Sequence, residues 1–460
     1  MKLERYLEGL RGKSVAVIGI GVSNAPLIRL LRDHGIAVTA CDRKSREALG
    51  AEAEELEALG VRLRLGEDYL KGLTEDVIFR TPGLRPDVPE LCAAVARGSV
   101  LTSEMEAFFE VCPCRILAVT GSDGKTTTTT LVSELLKAAG KTVHVGGNIG
   151  HPLLAEAGEM QAEDYAVLEL SSFQLMTMSK SADAAIVTNL SPNHLDVHRD
   201  YREYVEAKEN IFLHQDENGL LVLNADNADD AALAPLAKGR VLWFSRRHPV
   251  TDGVYQQGEE IFVANGGEVR PVLSVSDIRI PGTHNIENYM AAIALVQGLV
   301  PDETIRQLAR SFNGVAHRIE LVRTLRGVRY YNDSIASSPS RTIAGLRSFP
   351  EKVILIAGGK DKGIPYDELG PEITAHVKAL YLTGMTAGKI RAAVENAPDY
   401  DPAALPIYEC EGFRDTILAA AAAAEEGDVV LLSPASTSFD RFRNFAHRGD
   451  TFRAIVEELE

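Results

Sequence analysis

Three α/β blocks in succession are the architecture this sequence predicts, and three observations predict them. Apolar stretches of strand length alternate with stretches whose apolar residues recur at helical spacing. The pattern restarts three times, each time with an apolar strand that runs into a small, polar or glycine-rich loop. The length, 460 residues, suits three domains of about 150 residues, each large enough to bury a core. The expected domains are residues 1–110, 111–314 and 315–460.

Composition narrows the function. Apolar residues make up 45% of the chain and charged residues 25%, as in ordinary soluble globular proteins. Lys and Arg number 48 against 65 Asp and Glu, a net charge of -17. This argues against a general nucleic-acid binder but leaves room for a small anionic substrate in a local basic pocket. The five cysteines, Cys41, Cys92, Cys112, Cys114 and Cys410, fit neither a disulfide framework nor a paired zinc pattern. The nearest two, flanking Pro113, read as small residues in a linker. Reduced, buried thiols suit the cytoplasm, the expected compartment. The first residues, MKLERYLEGLRGK, lack the apolar core of a signal peptide, and no apolar run is long enough to span a bilayer. A monomer without membrane insertion is expected.

The first block opens with SVAVIGIGVSNAPLIRLLRDHGIAVTACDRK, residues 14–44. Residues 14–18 form an apolar strand. Gly19, Gly21, Ser23 and Asn24 form a tight turn, and Leu27, Leu30 and Leu31 share a helical face. Residues 37–41 form a second strand ending in Asp42. This is a βαβ start of the Rossmann-like kind. Asn24 stands where the full dinucleotide fingerprint has its third glycine, which weakens a nicotinamide reading. The turn still offers backbone N–H groups and a helix N-terminus to a diphosphate. A plain tight βα connection explains it equally well.

The second block starts near Cys112. Residues 115–120 form an apolar strand, followed by Gly121, Ser122, Asp123, Gly124, Lys125 and Thr126. This is a shortened P-loop, with Val119 at the position of the first glycine. The glycines let the backbone curl its N–H groups inward around phosphate oxygens. Lys125 is expected to reach the β- and γ-phosphates, and the Thr126 hydroxyl to sit on Mg²⁺. The threonine run that follows is poor helix material, yet Leu131, Leu135 and Leu136 keep helical spacing. A central P-loop ATPase-like domain results. Residues 165–170 form a strand carrying Glu169, and residues 184–190 another that leads to SPNHLDVH with His194. Both acid and imidazole lie where parallel sheets present ligands, beyond the strands' carboxyl ends, and they suit an ATP–Mg²⁺ site.

In YREYVEAKENIF, residues 201–212, Lys208 falls on the apolar face with Tyr204 and Val205. From spacing alone it reads as a lysine whose stem runs past the core. The alternative is that burial lowers its pKa, so that a neutral amine could take up CO₂ as a carbamate and become a metal-facing anion. The segments LLVLN and RVLWFS read as strands. Asn285 and Asn288, in GTHNIEN, sit at a helix start, where asparagine caps well.

The third block contains YYNDSIASSPSRT, VILIAGGKDKG and DVVLLSPASTSFDRFRNF. Strands ending in polar Gly- or Ser-rich loops again indicate a doubly wound, Rossmann-like domain. Its loops carry Asp333, Lys362, Ser438 and Arg441, a set suited to polar ligands.

Taken in order, these motifs resemble the Mur ligases of peptidoglycan synthesis. TGSDGKTT, GGNIG (146–150), LELSSFQL, NLSPNHLDVH, the EAK of Lys208, GTHNIEN, His317 with Arg318, and YNDS all fall in family order over essentially the whole chain. SSFQL and SPASTSFDRFRNF look most like the branch that adds D-glutamate. The resemblance implies that ATP phosphorylates the L-alanyl carboxylate of UDP-N-acetylmuramoyl-L-alanine. The amine of D-glutamate then attacks the acyl phosphate. It implies ATP contacts from residues 121–126 with Thr127, Asn285, Asn288, Arg318 and Asp333. Lys125, His194 and Lys208 would be catalytic. Thr126, Glu169, His194 and a carbamylated Lys208 would hold two Mg²⁺. Gly21, Ser23, Asn24, Asp42, Arg43 and Asn148 would bind the UDP substrate, and Ser337, Lys362, Ser438, Phe439 and Phe445 would meet D-glutamate.

One departure stands out. Many relatives have lysine two residues after the aspartate of the NDS motif, where this chain has Ile335. Lys360 is the candidate replacement. Three rival readings are another amide ligase of the superfamily (the L-alanine-adding enzyme or folylpolyglutamate synthetase), an NAD-dependent dehydrogenase, and a nucleotide-gated binding protein without catalysis. The SPASTSFDRF loop opposes the first, and the GKT loop with the missing third glycine opposes the second.

Overall fold

Each predicted block contributes its own sheet in the computed structural model, which describes residues 2–21 and 24–460. The first block forms β1 (Ser14–Ile18), β2 (Ala37–Asp42), β3 (Arg62–Leu65), β4 (Val77–Phe79) and β5 (Val100–Thr102). They pair in the order β3-β2-β1-β4-β5, all parallel. Val15 and Val17 pack on one side of this sheet, Ala16 and Ile18 on the other, so β1 is apolar throughout because both faces are covered. Strand order reverses between β1 and β4. That leaves a crevice beyond their carboxyl ends, next to the turn that starts at Gly19.

The second block forms nine strands: β6 (Arg115–Thr120), β7 (Val143–Gly147), β8 (Tyr165–Glu169), β9 (Ala184–Val187), β10 (Leu220–Asn224), β11 (Arg240–Ser245), β12 (Gly253–Gln257), β13 (Glu260–Asn265) and β14 (Glu268–Ser274). Their order is β14-β13-β12-β11-β10-β9-β6-β8-β7. The run from β7 to β12 is parallel, and the meander β12-β13-β14 is antiparallel. β6 lies between β8 and β9. The loop that follows it therefore emerges at a switch point, with Glu169 at the end of one neighbour and Thr188 just past the other.

The third block forms β15 (Glu320–Leu325), β16 (Val328–Asn332), β17 (Val353–Ala357), β18 (Val377–Leu382), β19 (Ile407–Glu409) and β20 (Val429–Leu432). The order is β15-β16-β20-β17-β18-β19, parallel except for the edge strand β15. Leu355 and Leu431 pack on one face, Ile354, Ile356, Val430 and Leu432 on the other.

Two compact units result. One runs to Ser274 and includes Glu287–Leu308; the other is Val275–Ile286 with Ala309–Glu460. The first two sheets share a unit because one apolar cluster reaches from Leu7 and Val17 through Phe108 to Leu168 and Leu221.

One local expectation holds and two need correction. The threonine run lies inside the helix Lys125–Ala138. Thr129 and Thr130 donate to the carbonyls of Lys125 and Thr126, each at 2.8 Å, and Thr128 donates to Asn288. With their hydroxyls satisfied, the threonines do not compete with the helix. The strand expected over 184–190 ends at Val187. Thr188 turns its hydroxyl to the Thr120 and Asp123 carbonyls instead. The helix carrying Lys208 is Tyr201–Glu209, shorter than the 201–212 pattern.

Candidate active site

The glycine loop after β6 is built around backbone that only glycine adopts easily. Gly121 has φ 144° and Gly124 φ 78°. A Cβ on Gly121 would lie 1.9 Å from Thr188 Oγ1, and one on Gly124 2.4 Å from Asn288 Oδ1. Gly124 caps the helix Lys125–Ala138, whose first N–H groups and dipole favour a phosphate. Lys125 Nζ donates to the carbonyls of Gly121 (3.0 Å) and Ser122 (2.9 Å). Asp123 N–H donates to Asn189 Oδ1, and the Ser122 hydroxyl meets Ser191 O and Tyr204 OH. Thr126 and Thr127 follow on the first helical turn, the former half-buried and the latter buried.

Lys208 approaches the same loop from behind. It is 1% exposed, and its Nζ donates to Gly121 O at 2.8 Å and Thr120 Oγ1 at 3.2 Å. The Nζ also lies 4.7 Å from the centre of the Tyr204 ring. Burial pushes its pKa well below the ordinary lysine value, and the charge of Lys125 adds to this; Glu169 and Asp123 oppose it. Its amine is thus held toward the neutral form.

The acid end of the site forms where β7 and β8 meet. Gly147 has φ 95°, and a Cβ there would fall 2.2 Å from Glu169 O. That close approach lets Asn148 bind Glu169 twice, backbone N–H to carbonyl and Nδ2 to Oε1, both at 2.7 Å. Glu169 is 1% exposed, and its Oε2 has no hydrogen-bond partner among the described residues. His194 has left-handed backbone, φ 53°. Its exposed ring packs edge-on against Phe173 at 5.0 Å. Among the described residues, no three His, Cys, Asp or Glu side chains cluster as a metal site. An ion here would therefore also depend on phosphate oxygens and water.

In the first sheet, Asn24 and Asp42 shape the glycine turn. Asn24 Nδ2 donates to Ile18 O and Gly19 O, while Asp42 accepts from the N–H groups of Ile20 and Lys44. Gly21 and Arg43 are exposed, and Arg43 lies 3.6 Å from Glu67. Ser23 falls outside the described residues. Asn288 sits beneath Gly124. Asn285 Nδ2 donates to Pro281 O.

The other unit gathers its expected residues beyond β16, β20 and β17, which are neighbours in the sheet. Asp333 is buried; its carboxylate accepts from Ser433 Oγ (2.8 Å) and Ile319 N–H (3.3 Å). Burial raises its pKa to about 7 against the lowering effects of Ser433 and the Arg318 charge. Ser337 is half-buried, Ser438 buried, and Lys362, Phe439 and Phe445 are exposed. Lys360 exchanges backbone hydrogen bonds with Thr437, and its side chain is exposed.

Four residues important to this geometry escaped the sequence reading. Arg448, 2% exposed, ties Ser334 after β16 to Ser436 after β20, through Ser334 Oγ, Ser334 O and Ser436 O. Arg80, 1% exposed, bonds the carbonyls of Thr81, Pro82 and Leu84 and reaches Phe173 O and Thr177 Oγ1. Arg85 grips Glu203 with two nitrogens at 2.9 and 3.0 Å and also donates to Val197 O. His198, buried and held below its ordinary pKa mainly by that burial, meets Ser172 Oγ at 2.9 Å and stacks on Phe173. Only His198 left a signal, four residues after His194 in NHLDVH. Each of the arginines also binds a partner distant in sequence.

Residues 119–296 match the Mur ligase middle domain, and residues 317–436 the Mur ligase, glutamate ligase domain. Over its whole length the chain is 51% identical to the UDP-N-acetylmuramoylalanine–D-glutamate ligase of Ruminiclostridium cellulolyticum, covering 99% of that protein. It is 49% identical to the ligase of the same name from Acetivibrio thermocellus, with 100% and 99% covered. In fold it is similar to the UDP-N-acetylmuramate-alanine ligase of Thermotoga maritima, with TM-score 0.58, 18% identity and 97% and 99% of the chains covered. It is also similar to MurF ligase from Thermotoga maritima in complex with ADP, with TM-score 0.57, 19% identity and 98% and 97% covered. The chain belongs to the Mur ligase family.

Proposed function

We propose that the chain is an ATP-dependent ligase that joins D-glutamate to UDP-N-acetylmuramoyl-L-alanine, releasing ADP and phosphate, in peptidoglycan precursor synthesis. The activity named for its full-length relatives supports the substrates. The observation that carries the chemistry is the convergence of Lys125 and Lys208 on the Gly121 carbonyl, at a switch point next to Glu169.

Phosphoryl transfer needs positioning and charge neutralisation more than covalent help from the protein. Residues 121–127 cradle the triphosphate, and Lys125 swings from the loop carbonyls to its β- and γ-phosphates. Asn285, Asn288, Arg318 and Asp333 hold the rest of the nucleotide. The alanyl carboxylate takes the γ-phosphoryl group on the Asn148 side of the site. The D-glutamate amine then attacks the acyl carbon, an amide forms and phosphate leaves.

Magnesium fits the residues present: it takes few protein oxygens, and Glu169 Oε2 is a buried oxygen with no partner among the described residues. Thr126, Glu169, His194 and a carbamylated Lys208 would hold two ions. Bound there, they would neutralise charge on the triphosphate.

Residues 1–110, through Gly21, Ser23, Asn24, Asp42 and Arg43, serve the UDP substrate. Residues 111–314 form the ATP domain. Residues 315–460 take D-glutamate through Ser337, Lys362, Ser438, Phe439 and Phe445. The enzyme works as a monomer in the cytoplasm. Among the described residues, no helix is long and apolar enough to cross a membrane.

Mass spectrometry tests the reading. Incubation with ATP, Mg²⁺, UDP-N-acetylmuramoyl-L-alanine and D-glutamate should give a UDP-linked product heavier by one glutamyl residue. An unchanged UDP substrate in an incubation that consumes ATP would refute it.

A further inference from the structure

Cys112 and Cys114 belong to no part of the ligase site. Cys112 caps the C-terminus of the helix Glu104–Val111, and Cys114 directly precedes β6, the strand that runs into Gly121. Their sulfurs are 3.5 Å apart, and Cys112 Sγ is also 3.5 Å from Cys114 O. Both residues are nearly buried, at 5% and 7% exposure. Lys2 Nζ donates to Cys112 O at 3.0 Å, which anchors the peptide between them. A disulfide has an S–S distance of about 2.05 Å. Closing the gap therefore asks each sulfur to move by roughly 0.7 Å, within reach of side-chain rotation and a small backbone adjustment.

We propose that Cys112 and Cys114 are a redox-modification site that closes to a reversible intrachain disulfide when a hydroperoxide reaches it. The two thiols have different roles. Cys112 Sγ donates to Cys114 O, and in the S···S contact either thiol can be the donor. That contact and burial raise the Cys112 thiol, while the contact with Cys112 lowers Cys114. Cys114 is accordingly the attacking thiolate and Cys112 the resolving thiol.

Cys114 sulfur attacks the outer peroxide oxygen. The O–O bond breaks, and the leaving alkoxide or hydroxide takes up a proton to become alcohol or water. Cys112 sulfur then attacks the resulting sulfenic acid. Its proton joins the departing hydroxide as water, and the S–S bond forms. Two thiols have lost two electrons and two protons, and the hydroperoxide has been reduced. A buried pair admits a small oxidant such as hydrogen peroxide better than a bulky disulfide such as oxidised glutathione. The proposal rests on these two side chains and not on the ligase assignment.

Trypsin cuts after Arg97 and Arg115, so one peptide, residues 98–115, carries both cysteines and no other. After brief treatment of the full-length protein with hydrogen peroxide, this peptide should be lighter by about 2 Da and resist alkylation; dithiothreitol should restore it. Cys112→Ser should stop at a Cys114 sulfenic acid that dimedone traps. Both thiols remaining alkylatable at a peroxide dose that oxidises exposed Cys92 would overturn the proposal. So would wild-type protein that accumulates sulfenic or sulfinic acid on this peptide without the 2 Da loss. The wild-type measurements decide the matter even if the variant folds poorly.

Discussion

Lys208 Nζ sits 2.8 Å from the carbonyl of Gly121, so a buried amine supports the floor of the phosphate loop. Removing it should damage catalysis rather than folding alone. Lys208→Met should lower kcat by about 10²–10³, the cost typical of losing one preorganised electrostatic group. Lys208→Arg should do no better, because a guanidinium stays charged and forms no carbamate. Preparing the wild-type enzyme in buffers freed of CO₂ and bicarbonate should lower its activity, and adding bicarbonate should restore it. Full activity of Lys208→Arg would contradict the carbamate reading.

Gly124 has no room for a side chain. Gly124→Ala forces an L residue to φ 78° and drives Cβ toward Asn288 Oδ1. The backbone cost alone is about 1–2 kcal/mol. ATP affinity should fall by about tenfold or more, equivalent to ~1.4 kcal/mol, with a lowered Tm. Calorimetric titration with an ATP analogue checks it.

Arg85 pins Glu203, five residues before Lys208 in the same helix, from a loop that follows β4. The side chains are 21% and 19% exposed. The Arg85 hydrogen bonds hold the Glu203 carboxyl down at about 2, from an ordinary 4.5. The folded-state pKa is depressed, so the pair stabilises the fold above about pH 4.5 and loses that contribution as pH falls toward 2. Arg85→Met should cost about 1–3 kcal/mol at pH 7 and flatten the acid limb of stability. Urea unfolding at pH 7 and pH 3 reads both effects; equal losses at the two pH values would show that the charge pair is not the cause.

Asp333 has the opposite sign. Burial raises its pKa from 3.8 to about 7. Between those values the native state keeps a proton that the unfolded state has released, so stability falls as pH rises through this window. Asp333→Asn should remove the decline, leaving the variant more stable than wild type at pH 8 by up to about 4 kcal/mol. It should also weaken ATP binding. Urea midpoints at pH 5 and pH 8 test the first effect, and nucleotide titration the second.

The parts of this protein legible in its sequence are those written in short segments. The strand, glycine turn and helix around Lys125 lie within a few consecutive residues, and so does the apolar stripe that buries Lys208. The threonine run joins the helix despite its poor propensity because its hydroxyls find partners: carbonyls four residues back and Asn288, 160 residues away. Arg80, Arg85 and Arg448 stayed hidden because an arginine looks alike whether it faces water or bonds a chain segment about 100 residues distant. The division between Ile286 and Glu287 falls inside a helix, Thr283–Leu295, where periodicity continues without a break. Asn24 was legible as a member of the glycine turn and Asp42 as the end of the following strand. That both bind the turn's own backbone follows only from its three-dimensional path.

The most direct test of the central claim is phosphate release with ATP, Mg²⁺ and UDP-N-acetylmuramoyl-L-alanine, with D-glutamate, L-glutamate or L-alanine added separately. Stimulation by D-glutamate alone is the result expected of a D-glutamate-adding ligase that works through an acyl phosphate. Release that is the same with every amino acid, or stimulated by L-alanine instead, would contradict it.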